Sequence, residues 1–96
     1  MQAEGFAVVG EAVDGASAVE LTLQLSPDVV LLDVELPDFD GFEVAVRLAL
    51  AQSRSAVVLT SSRDRADFGP LVDESPARGF VAKGELSGDA VRELVA

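Results

Sequence analysis

One segment constrains this chain more than any other: Val29 to Phe42, Val-Val-Leu-Leu-Asp-Val-Glu-Leu-Pro-Asp-Phe-Asp-Gly-Phe. A run of apolar, largely β-branched residues ends in the carboxylate of Asp33. Apolar character throughout is the mark of a parallel strand covered on both faces. Pro37 stops the strand, and an acidic turn containing Gly41 leads into a helix. Asp33 is thereby lifted to the carboxyl end of a buried strand, the edge at which open α/β sheets place their chemistry.

The rest of the chain keeps the same rhythm. Phe6 to Val13 reads as a strand, followed by an Asp14-Gly15 turn. Ser17 to Leu25 reads as a helix with Ala18, Leu21 and Leu25 on one face, closed by Pro27. Phe42, Ala45, Val46, Ala49 and Leu50 keep the spacing of an amphipathic helix. Ala56 to Thr60 is a further strand. Asp64 to Glu74 makes a poorer helix, interrupted at Gly69-Pro70. Gly79 to Ala82 is a short strand, and Ser87 caps a last helix with Ala90, Val91, Leu94 and Val95 on its apolar face. Strands alternating with helices predict one α/β domain over residues 1–96, with a parallel sheet and right-handed crossovers.

Charge and composition narrow the function. Hydrophobic residues make up 49% of the 96, too many for a disordered tail. A net charge of −10 disfavours nucleic acid and anionic membrane as partners. Without cysteine there is no disulfide framework or thiolate metal site, and without histidine there is no imidazole base. No apolar run approaches a membrane span and no leader opens the chain, so a cytoplasmic location is expected.

Three consecutive strands end in chemistry: Asp33, then Thr60-Ser61, then Lys83. A carboxylate, a hydroxyl and an ammonium are expected to converge there. Each alone has a plainer reading, as a strand cap, a β-branched strand residue and a solvated loop lysine. Together they fit phosphoryl transfer, with Asp33 as nucleophile, Lys83 as fixed positive charge and Thr60 as donor to a phosphoryl oxygen. Asp38 and Asp40 beside Gly41 lack the remaining spacing of a calcium loop. Glu11, Asp14, Glu20 and the acids from Asp64 to Glu74 read as solvated faces.

From about Gly5 to Val95 the chain resembles response regulator receiver domains, the CheY-like targets of histidine kinases in two-component phosphorelays. The resemblance rests on Asp33 as acceptor, Pro37 and Gly41 after it, Thr60 with the small Ser61, Lys83, and the aromatic Phe80 three residues before that lysine. It implies a flavodoxin-like doubly wound sheet and Mg²⁺ held by Asp33, the Glu35 backbone carbonyl and further acids. It also implies a switch in which Thr60 moves inward and Phe80 rotates, though the residue reading alone makes Phe80 a core aromatic. Expected partners are a sensor histidine kinase or phosphotransfer protein and a downstream protein.

The pattern departs from the family at its amino terminus. The first strand, its pair of magnesium-binding acids and the first helix have no counterpart, a unit of about 20–25 residues. The expected sheet is therefore truncated to about four strands and four helices, with no output domain. An unfilled slot beside Phe6–Val13 would favour self-association. The competing reading is a pseudo-receiver, an interaction module that is not phosphorylated because the acidic pair is absent. A third, a hydrolase with an aspartyl nucleophile, would need Glu35 as the acid/base. Gly84 after Lys83 and the Pro76 and Gly69-Pro70 breaks are smaller departures.

Overall fold

The structure, a computed structural model, describes residues 14–95. The strand expected at Phe6–Val13, the slot beside it and Glu11 lie outside the described residues. The elements are α1 (Gly15–Leu25), β1 (Val29–Asp33), α2 (Gly41–Leu50), β2 (Ala56–Ser61), a 3₁₀ turn at Arg65–Phe68, α3 (Leu71–Glu74), β3 (Gly79–Ala82), a 3₁₀ turn at Lys83–Glu85 and α4 (Gly88–Val95). Among the described residues the sheet is parallel in the order β1-β2-β3. Asp33 pairs in register with Thr60, and Thr60 with Val81. That register sets the acidic and hydroxyl strand ends side by side.

The period-two alternation of strands sorts the core into two layers. On one face Leu32, Val57 and Leu59 pack with Ala18 of α1 and with Val44, Ala45 and Leu48 of α2. On the other, Val58 and Val81 pack with Val91 of α4, and Val29, Ala90 and Leu94 flank them. The α4 helix contacts β2 and β3. On its side of the sheet Leu31 remains 38% exposed. The expectation that β1 is covered on both faces is therefore corrected: one face is covered, and the other is left partly open at Leu31.

Several helix faces also differ from the periodic reading. The buried stripe of α1 is Gly15, Ala18 and Thr22, while Leu25 stays 45% exposed. Small residues on the inner face let α1 pack closely against α2. In α2 the buried stripe is Gly41, Val44, Ala45 and Leu48. Val46 and Leu50, expected inside, are 40% and 79% exposed. Apolar residues occur on nearly every side of that helix, so two interleaved stripes fit the pattern equally well and tertiary packing selects one.

Asp14 is a helix cap, neither a turn residue nor a purely solvated charge: its side chain accepts from the Ser17 N–H at 2.8 Å. The helix expected over Asp64–Glu74 is divided at Gly69-Pro70 into a 3₁₀ turn and the single turn of α3. Three of its acids hold local structure, since Asp64 and Asp67 form a capping box and Asp73 pairs with Arg65. Ser87 caps α4 as expected, accepting from the Ala90 N–H at 3.0 Å. Among the described residues no helix is long and apolar enough to cross a membrane.

Candidate functional site

The carboxyl edge of the sheet brings Asp33 and Lys83 together across fifty residues of chain. Lys83 Nζ donates to Asp33 Oδ2 at 2.6 Å, and the Glu35 N–H donates to Asp33 Oδ1 at 3.0 Å. The hydrogen bond to Asp33 and then its charge hold the Lys83 ammonium above the ordinary lysine value against an opposing desolvation, with a lesser contribution from the Glu35 charge. Lys83 is fully protonated at neutral pH and supplies a fixed positive charge.

Thr60 is buried one strand from Asp33, and its hydroxyl donates to the Val81 carbonyl at 2.7 Å. Ser61 is fully buried and donates to Glu35 Oε1 at 2.5 Å, while its own oxygen accepts from the Arg63 N–H. The Glu35 carboxylate is thus tied to the end of β2. Sequence reasoning singled out the Glu35 carbonyl and gave Ser61 only the merit of being small. It missed this side-chain bond, because nothing local joins the loop after β1 to the end of β2.

Gly41 is fixed by close approach. A Cβ there would meet the Asp33 carbonyl oxygen at 2.7 Å and the Val34 Cα at 3.0 Å. The Gly41 N–H donates to the Val34 carbonyl at 2.8 Å, and Asp40 caps α2 by accepting from Glu43. Pro37 sits exposed in the loop between. Asp38, read in sequence only as part of a rejected calcium pattern, accepts from the N–H groups of Gly15 at 2.6 Å and Ala16 at 3.0 Å. Desolvation acts to raise its pKa, but these bonds and that from Phe39 outweigh it and hold the carboxyl below the usual value. Asp38 therefore docks the loop after Asp33 onto the amino terminus of α1. Phe80 is half-buried, its ring 5.6 Å from that of Phe68, which in turn lies 5.5 Å from Phe42.

The magnesium expectation meets an incomplete donor set. Among the described residues no group of three or more His, Cys, Asp or Glu is placed to hold a metal. Of the ligands the resemblance implies, Asp33 and Glu35 are present, and both Asp33 oxygens already accept hydrogen bonds. Magnesium demands six oxygens in near-octahedral array. These residues do not make such a site by themselves. A separate cleft of about 460 Å³ lies at the opposite edge of the sheet, among Thr22, Ser26, Asp28, Gln52, Arg54 and Ser55. It contains none of Asp33, Glu35, Thr60, Ser61 and Lys83.

Comparison with known proteins agrees with the geometry. The profile of the response regulator receiver domain matches residues 1–95. Transcriptional regulatory protein PdtaR of Mycobacterium tuberculosis is 33% identical over 105 residues, covering 100% of this chain and 51% of that protein. A protein-glutamate methylesterase/protein-glutamine glutaminase of Anaeromyxobacter dehalogenans is 44% identical over 92 residues, 94% of this chain and 26% of that protein. The chain thus spans about half or less of the length of these relatives. The signal receiver domain of the putative response regulator NarL from Mycobacterium tuberculosis superposes with a TM-score of 0.85 at 33% identity, over 97% of this chain and 77% of that one.

Proposed function

Because the chain belongs to the response regulator receiver domain family of two-component signalling, we propose that it accepts a phosphoryl group on Asp33 from the phosphohistidine of a kinase or phosphotransfer protein. The observation that carries this reading is the Asp33–Lys83 pair at 2.6 Å, in register beside Thr60. An Asp33 carboxylate oxygen attacks phosphorus. An O–P bond forms as the P–N bond of the donor breaks, and the electron pair leaves with the imidazole nitrogen. Lys83 neutralises charge on the transferred group, and the Thr60 hydroxyl turns from the Val81 carbonyl to a phosphoryl oxygen. That turn leaves a buried carbonyl on β3 without its partner, which costs about 1–3 kcal/mol and makes the β3 end respond to the site. Such an exchange belongs in the cytoplasm, where the phosphodonor kinases have their catalytic portions.

The incomplete magnesium donor set among the described residues favours one other reading, an interaction module that is never phosphorylated. A phosphorylated histidine-containing phosphotransfer protein tests between them. Label passing to the wild-type chain and not to Asp33→Ala supports the acceptor role. Retention of all label on the donor, with a folded acceptor present in excess, supports the interaction module.

A further inference from the structure

Three phenylalanine rings from three elements stand in file, the first pair edge to face and the second tilted: Phe42 at the start of α2, Phe68 at the end of the Arg65–Phe68 turn, and Phe80 on β3. Phe68 is the middle member. It is also the one residue of its turn that is not exposed, so the turn's apolar seat on the domain is this side chain, beside the solvent-facing Arg65–Asp73 ion pair. Both neighbours lead to the site. Phe42 follows Gly41, which is packed against the Asp33 carbonyl, and Phe80 stands three residues before Lys83. The turn itself carries exposed charge, Arg65 and Asp67, beside Asp64.

We propose that Phe68 is a latch whose docking between Phe42 and Phe80 ties the 3₁₀ turn to the loop after Asp33 and to β3, by a packing route that does not pass through the Thr60 hydroxyl. A displacement of either flanking ring removes a ring contact and frees the turn. This coupling goes beyond the acceptor role. It is tested in the unphosphorylated full-length chain, so its outcome is separate from that of phosphoryl transfer.

Exposed Arg65 offers the readout, because trypsin cleaves after it only when the turn opens. Cleavage after Arg54, remote from the rings, serves as the internal reference. Phe68→Leu and Phe42→Leu are each expected to raise the Arg65-to-Arg54 cleavage ratio about three- to tenfold, the worth of one or two ring-edge contacts. The double variant is expected to exceed Phe68→Leu by little, since Phe42 acts through Phe68. A wild-type ratio in Phe42→Leu overturns the latch, as do two effects that simply multiply. Should Phe68→Leu fail to fold, the Phe42→Leu ratio alone decides.

Discussion

Lys83 is the single lysine of the chain, which makes its ammonium individually observable by selective ¹³C labelling. Contact with Asp33 raises its pKa above 10.5. The sign follows from linkage: stability from the pair is fully present below the ordinary lysine value and is lost as pH rises through the raised one. The lysine Cε titration is expected to midpoint above 10.5 in wild type and to fall back in Asp33→Asn. An unchanged midpoint in the variant would show that the pair is not formed in solution. Asp33, Thr60 and Lys83 were legible in the sequence because strand ends in a parallel α/β order must share an edge. Asp38 was not legible, since its partners at Gly15 and Ala16 precede it by more than twenty residues. Its depressed pKa gives the opposite linkage. The stability it contributes is present above 3.8 and is lost as pH falls through the lower folded value. Asp38→Asn is accordingly expected to flatten the acid side of a urea-midpoint profile, leaving the alkaline side as in wild type.

At the level of elements, the turn after β1 is held from three sides, by Gly41 against Asp33, by Asp40 capping α2 and by Asp38 on α1. Gly41→Ala forces a methyl into backbone atoms that cannot move aside. It is expected to cost about 1–3 kcal/mol in denaturant unfolding, with the loss centred on the Asp33 loop in hydrogen exchange. Asp40→Ala, by contrast, is expected to cost about 1 kcal/mol through loss of the cap. A Gly41→Ala midpoint equal to wild type would mean that the loop has more room than the packing implies. Element order and the strands at Val29, Ala56 and Gly79 followed from the hydrophobic runs. Helix faces did not, because α2 is apolar on too many sides for periodicity to choose between Val44–Leu48 and Val46–Leu50. The division of Asp64–Glu74 was signalled by Gly69-Pro70, but the seat of Phe68 was not.

At the scale of the molecule, among the described residues two core layers share one sheet, and the layer of α1 and α2 covers β1 more completely than the layer of α4. Leu59, fully buried, and Leu31, 38% exposed, sit on opposite faces and should answer differently to truncation. Leu59→Ala is expected to cost about 2–5 kcal/mol, whereas Leu31→Ala should cost markedly less. Equal urea-midpoint shifts would show that Leu31 is covered in solution. The assembled edge, rather than any one strand, is what the proposed acceptor role depends on. Intact-protein mass after incubation with acetyl phosphate, with and without Mg²⁺, tests that most directly. One added phosphoryl group on wild type, absent from Asp33→Ala, is the predicted result. A folded wild-type protein that gains no phosphoryl group under either condition would contradict it.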